Sequence, residues 1–281
     1  MKIRVFSFFY NEAALLPYFL RHYAWADALH IVVSKSTDGT RELLEQASVN
    51  EPESGGHSPQ SGVQNPQPTV RKPVIEIEDW DNPGGKIDDF QKMAKWNEVV
   101  GRQWDADWLV VVDADEFIWP MDNPFANQEN VQAFLATVPA PETAIQAAMW
   151  NVFRHVTDSD LDPTRAPALQ RRHGLADLNH PQNAPYRKPI VIRANRGLAF
   201  TLGNHYLLPN PELRFASGHH FEGAHWQNAD PIFAVTRRCR DRRDRLGEAN
   251  LKAGLGEQHR HITEESVLAL CKAHENDEAC F

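Results

Sequence analysis

The stretch Trp108-Leu-Val-Val-Val-Asp113-Ala-Asp115-Glu116-Phe117 constrains this chain more than any other. An apolar run rich in β-branched residues, without polar alternation, predicts a strand covered on both faces, as in the middle of a parallel sheet. The run stops abruptly on three carboxylates. They therefore stand at a carboxyl edge, where open α/β sheets bind their ligands. Crowded acidic groups with no cation beside them in the sequence repel one another, and a divalent ion would relieve that repulsion. Oxygen-only ligands favour a hard ion, Mn²⁺ or Mg²⁺. The plainer alternative is a strand ending in an acidic turn that caps whatever follows.

The segments on either side support an α/β reading. Residues 3–9 predict a first strand, and residues 12–23 place apolar side chains at helical spacing, with Pro17 tolerated in the first turn. A second strand over 29–34 runs into Ser36-Thr-Asp38-Gly-Thr40, a turn that opens another helix. Strand alternation returns at 74–78, and 86–104 reads as a helix leading into the acidic strand. Repeated β-α units predict right-handed crossovers and a mostly parallel sheet flanked by helices. Between these elements, residues 51–73 are rich in Pro, Gly, Ser and Gln and predict a flexible surface insertion rather than a domain boundary. The second half is less regular: a short helix at 131–137, strands at 143–153 and 188–193, and a polar loop region over 158–186. Near the end, Thr263 caps a helix that begins with Glu264 and Glu265, and Ile262 can staple to Val267.

Bulk properties narrow the classes of function. A net charge of −9 over 281 residues argues against a general binder of nucleic acid or of anionic membrane surfaces. No stretch approaches the ~18 apolar residues of a membrane span, so the expectation is no integral membrane segment. A membrane-borne acceptor would then require peripheral association. Cys239, Cys271 and Cys280 lack metal-type spacing and suggest neither a disulfide framework nor a zinc site, which points to a cytoplasmic setting.

Four features occur in order: Asn11-Glu12 after the first strand, Ser36 to Thr40 after the second, Asn97 in the helix before the acidic strand, and Asp113-Ala-Asp115-Glu116-Phe117. Together they resemble the inverting family 2 glycosyltransferases of GT-A fold, in particular the branch whose metal motif reads Asp-x-Asp-Glu-Phe. The resemblance covers most of residues 1–120. It continues more weakly through Tyr186-Arg-Lys188-Pro, Gly203-Asn-His205-Tyr and Gly223-Ala-His225-Trp226.

The resemblance implies a GT-A-like, Rossmann-related domain over residues 1–235 with a helical carboxyl-terminal extension over 236–281. Residues 1–120 would form the nucleotide-sugar-binding half and 121–235 the acceptor half. It also implies metal-dependent transfer of a sugar from a nucleotide-diphosphate donor, by family habit a UDP-sugar, to a hydroxyl of a saccharide or other acceptor, with inversion. Asp115 would bind the metal, with Asp113 on the ribose or the metal's water shell and Glu116 supporting or coordinating. In similar proteins a late His can also complete the metal shell, so His205 and His225 are each candidates for that place, with His225 taken as the ligand. Asn11, Glu12, Asp38 and Asn97 would shape the nucleotide pocket, and Lys188 has a claim on the phosphates. The chain departs from its relatives at Val33-Ser34-Lys35, where an acidic residue commonly meets the base or ribose.

Inversion needs a base for the acceptor hydroxyl. Glu222, His205, His220 and His225 are the candidates, with Glu222 preferred. The arginine run 237–245 reads as a solvated helix paired with Asp241 and Asp244 rather than as a phosphate site. Trp150 and Trp226 are candidates for sugar stacking, although core packing is the stronger reading for both. Two other functions compete. A strand ending in Asp-x-Asp also serves haloacid-dehalogenase-type phosphatases through an aspartyl-phosphate, but there the motif lies on an early strand. A non-catalytic relative that only holds a sugar nucleotide or glycan has no chemical need for an intact acidic motif.

Overall fold

The structure is a computed structural model that describes residues 1–49, 72–81, 85–86, 88–121, 123, 126–176 and 186–281. The insertion expected over 51–73 lies almost wholly outside the described residues. The fold is mixed α/β, with a mostly parallel sheet flanked by helices. Its strands are β1 (Ile3–Phe9), β2 (Ala28–Ser34), β3 (Val74–Trp80), β4 (Trp108–Asp113), β5 (Glu116–Pro120), β6 (Ala144–Phe153), β7 (His173–Leu175), β8 (Tyr186–Arg193) and β9 (Phe221–Asn228). They follow the order β3-β2-β1-β4-β8-β6-β9-β5, with β7 added onto β6. Strands β1 to β4 are parallel to one another, and β8 runs against both β4 and β6.

Strand β4 is apolar on both faces because it is covered on both. Trp108, Val110 and Val112 join Leu16 and Phe19 of α1 (Leu16–His22), Leu44 of α2 (Thr40–Val49) and Leu135 of α4 (Gln128–Thr137) in the larger core. Leu109 and Val111 join Trp96 and Val99 of α3 (Asp89–Val100) on the other side. Each such aliphatic side chain withdrawn from water contributes about 1.5–3 kcal/mol, so the continuous apolar run outweighs any need for alternation.

Helix α1 begins at Leu16, later than the periodicity suggests. The carbonyl of Glu12 instead accepts from the N–H groups of Leu15 (2.9 Å) and Leu16 (2.8 Å) in a preceding turn. This leaves Glu12 in a loop at the carboxyl edge. The remaining helices, α5 (Pro231–Val235), α6 (Glu248–Lys252), α7 (Glu257–Arg260) and α8 (Glu264–Ala273), follow β9. Helix α8 starts as expected: Thr263 and Ser266 form a reciprocal capping box, and Val267 and Cys271 pack with Ile262 in a separate small core. No helix among the described residues is long and apolar enough to cross a membrane.

His22, at the end of α1, is buried with its Nε2 2.8 Å from the carbonyl of Ile118, and burial depresses its pKa to about 4 from 6.5. Between those two values the unfolded chain binds a proton that the native state refuses. Stability therefore falls as pH drops through that window, by about 3 kcal/mol at most. Replacing His22 with Gln keeps a donor for Ile118 and removes the titration. Urea midpoints of the Gln variant are expected to change less between pH 6.5 and 4 than those of the parent, and parallel pH profiles would refute the assignment.

Candidate functional site

Because β1, β2 and β4 are parallel, Phe9-Tyr10-Asn11-Glu12, Ser34 and Asp113 emerge at one edge of the sheet. A cleft of about 400 Å³ opens there, and Glu12, Ser34, Asp113, Asp115, Glu116, Lys188, His205 and His225 all line it. A hollow of about 170 Å³ at the opposite edge has a charged lining, including Lys2, Arg4, Asp27, Glu76 and Asp105. Its charges are spent on one another and on the backbone: Arg4 pairs with Glu76, Lys2 with Asp105, and Asp27 accepts from Ile3 N–H.

The acidic motif spans the end of one strand, a two-residue turn at Ala114 and Asp115, and the start of the next strand. Asp113 closes β4, and Glu116 opens β5, which pairs antiparallel with β9 so that Glu116 stands opposite His225. The antiparallel β8 supplies the counter-charge. Its register on β4 pairs Val110 with Val191, and carried to the strand end it sets Asp113 opposite Lys188. Pro189 has no N–H to continue that ladder.

Lys188, 2% exposed, donates to Asp113 Oδ2 (3.1 Å) and to both Glu116 oxygens (2.8 and 3.0 Å). Lys92 of α3 reaches Asp113 Oδ1 at 3.2 Å. Burial opposes ionisation of Asp113, yet Lys188 and Lys92 outweigh it and hold the carboxyl well below its usual range. On the other side Arg237 Nη2 lies 3.0 Å from Asp115 Oδ2, and Arg237 Nη1 pairs with Glu12. His225 bridges Asp115 Oδ2 (3.1 Å) and Asn151 Oδ1 (3.1 Å). Asp115, too, is held low against burial, by Arg237 and then by His225. Burial disfavours the imidazolium of His225, but Asp115 reverses this and raises its pKa. Glu12 behaves differently: burial pushes it up to about 8 against the pull of Arg237.

These contacts bear on the expected ion. Lys188 engages both oxygens of Glu116, Arg237 and His225 share one oxygen of Asp115, and Lys188 and Lys92 divide those of Asp113. Among the described residues no three His, Cys, Asp or Glu side chains are grouped to hold a metal. As arranged, the donor set is not a preformed ion site, because these carboxylates are already engaged by lysine, arginine and histidine. The carboxylates are nevertheless on the cleft wall and not turned into the core.

Other expected site residues separate into two groups. Asn11, at φ 52°, receives Thr37 N–H on its side-chain oxygen (2.8 Å) and donates to Asp241 (3.1 Å), so it braces the rim and does not cap α1. Asp38 and Asn97 fall outside the cleft lining. Asp38 accepts from Ala13 N–H (2.9 Å) and Thr40 N–H (3.0 Å), tying two loops together. Asn97 both donates to the Phe200 carbonyl (3.0 Å) and accepts from its N–H (2.8 Å), anchoring the loop that carries His205. Glu222 is likewise absent from the lining, with Trp119 Nε1 3.4 Å from its carboxylate. Successive side chains of a strand face opposite ways, so Glu222 and His225 project from opposite faces of β9. Trp226 is fully buried against Tyr18 and Phe117, and Trp150 packs half-buried on the same core.

His205 lies on the cleft wall beside Gly203 (φ +70°) and Asn204 (φ 57°). A Cβ on Gly203 would come within 2.6 Å of the His205 ring, so this glycine is what lets the imidazole fold back. Burial, offset in part by Asp113, lowers the pKa of His205 and favours the neutral ring. The arginine run is where the sequence reading departs most from the structure. Arg237, Arg242 and Arg245 line the cleft, which no reading of an ion-paired α-helix anticipates. Ser34 Oγ and Asp241 Oδ2, also on this wall, are buried without a partner among the described residues, as polar atoms awaiting a ligand or water would be.

No family model matches this chain, and no curated protein matches it either. Among solved structures, HddC from Yersinia pseudotuberculosis is similar at 8% identity, with a TM-score of 0.28 over 69% of this chain and 75% of that one. So low a score carries no argument about fold or function.

Proposed function

We propose that the protein is a glycosyltransferase of GT-A-like fold that moves a sugar from a nucleotide-diphosphate donor, a UDP-sugar in the first instance, to an acceptor hydroxyl with inversion. The observation that carries this reading is the placement of Asp113, Asp115 and Glu116 on the wall of the cleft at the carboxyl edge of β1, β2 and β4. That edge is where a nucleotide lies in related sheet architectures.

The side chains around it suit the chemistry. Ser34 offers a buried, unpartnered hydroxyl to the nucleoside at the position where relatives commonly carry an acid. Lys188 and Arg237 hold the acidic rim rigid and bring cationic charge next to the departing diphosphate. His205, kept neutral, takes the proton of the acceptor oxygen as that oxygen attacks the anomeric carbon. The new C–O bond forms opposite the breaking bond to phosphate, whose electron pair leaves with the nucleoside diphosphate.

A thermal-shift screen of nucleotide sugars, each with EDTA and with Mn²⁺, followed by assay of nucleoside-diphosphate release, tests the proposal. At 100 times Kd a ligand adds about 2.7 kcal/mol of stability, enough to be read as a rise in Tm. Stabilisation by a nucleotide sugar and release of its nucleoside diphosphate are expected. Neither effect with any donor would overturn the reading.

A further inference from the structure

The cleft lining includes seven carboxylates against five lysines and arginines, so the cleft as a whole does not attract a multiply charged anion. A diphosphate needs a local surplus of cations, and the segment after α5 provides one. Residues Thr236–Arg242 form a π-helical stretch, in which Arg243 N–H bonds back to the carbonyl of Arg238. In such winding residues five apart lie a little over one turn apart, so Arg237 and Arg242 share a side, and both line the cleft. In an α-helix the same interval turns through about 500° and leaves them about 140° apart.

Arg237 is committed to Asp115 and Glu12. Arg242 is exposed in the cleft, and its side chain forms no ion pair or hydrogen bond among the described residues. The guanidinium carbon of Arg245 lies 3.1 Å from the ring centroid of Tyr10, and its Nε donates to Gly85 O at 2.8 Å, which orients the guanidinium while leaving it without a carboxylate ion pair among the described residues. Arg245, oriented in this way, and Arg242, exposed in the cleft, stand beside a third arginine that is already paired and make an anion subsite, since the planar fork of arginine matches phosphate oxygens.

We infer that Arg242 and Arg245, backed by Arg237, bind the diphosphate group of the ligand, so that this chain's own side chains neutralise it and binding requires no divalent ion. The inference takes the identity of the ligand from the transferase reading. The charge of the ligand follows from the arginines alone.

Isothermal titration with two probes, UDP and inorganic pyrophosphate, each in EDTA and in Mn²⁺, tests it on the full chain. Binding of UDP in EDTA within about three-fold of that in Mn²⁺ is expected, with a loss of about ten-fold, or 1.4 kcal/mol, in Arg242→Ala and more in Arg242→Glu. The Arg242 side chain has no partner among the described residues to lose, so both variants should melt as the parent does, which separates a binding defect from unfolding. Binding only with Mn²⁺, or unchanged affinity in both variants, would overturn the inference and leave the transferase proposal standing. Arginine-dependent pyrophosphate binding in EDTA without turnover of any nucleotide sugar would do the reverse. Failure of both probes in both media would overturn the inference, and the donor screen then decides the transferase reading separately.

Discussion

Lys188→Met is expected to destabilise the protein by about 3–5 kcal/mol, since it keeps the length of the stem while stripping the ammonium from between two carboxylates. Glu116 is 3% exposed and among the described residues would retain only the Asp113 N–H, at 2.9 Å, for its side chain. The Asp113 side chain would likewise retain only Lys92 among them. The cost comes from leaving buried charge uncompensated, not from the intrinsic worth of the ion pair, and two consequences follow from that distinction. Adding Glu116→Gln to Lys188→Met should recover part of the loss, because the second change removes the stranded charge. The gap between parent and single variant should also narrow in acid. In the parent, Asp113 is held well below 3.8, so its contribution is present above 3.8 and is lost only as pH falls toward the lower native value. In the variant Asp113 keeps the upward push of burial and loses the pull of Lys188, so it takes up a proton more readily and sheds its penalty. Urea midpoints at pH 7 and pH 4 measure both effects. A loss below about 1 kcal/mol at pH 7 would show that Lys188 is not the counter-ion that lets this edge fold.

That counter-ion explains what the sequence does and does not disclose. The parallel half of the sheet is legible because β2 and β4 are buried runs made largely of apolar residues, as a buried parallel strand tends to be. The position of Asp113 at a carboxyl edge follows directly. The relief of its charge does not, because Lys188 lies 75 residues further on and meets Asp113 only through the antiparallel register of β8. Charge crowding read from a local window implies an ion. The same crowding read in three dimensions is met by Lys188, Lys92 and Arg237.

Other differences have equally local causes. Residues 221–228 escape recognition as a strand because Gly223 interrupts the pattern. Yet a Cβ there would meet Met149 Sδ at 2.6 Å, so the glycine is what allows β9 to fit against β6. Had that strand been recognised, its period of two would have set Glu222 and His225 on opposite faces at once. The arginine run misleads for a different reason. Helical periodicity pairs Arg237 with Asp241, and no feature of the sequence announces π winding, which turns Arg242 to the cleft instead.

With Glu222 facing away from the cleft, the proton of the acceptor falls to His205, and His205→Ala is expected to lower turnover by 10²–10⁴-fold, roughly the worth of a positioned general base. Binding of UDP should stay within about two-fold, since this ring is assigned no part in holding the diphosphate. Gly203→Ala tests positioning separately from chemistry. The added methyl would press on the imidazole at 2.6 Å from a backbone at φ +70°, so the ring must swing out while the base itself is retained. Turnover should drop by about ten-fold or more, with KM for the donor little changed, as for a loss confined to the transition state. The pH profile distinguishes the two variants. In the parent the acid limb should report a histidine titrating below 6.5, the direction in which burial moves His205. That limb should disappear in His205→Ala and move toward 6.5 in Gly203→Ala, where the displaced ring returns to water. If the acid limb persists in His205→Ala, the proton goes to another group on the cleft wall, and His225, already bonded to Asp115, would be the next to replace.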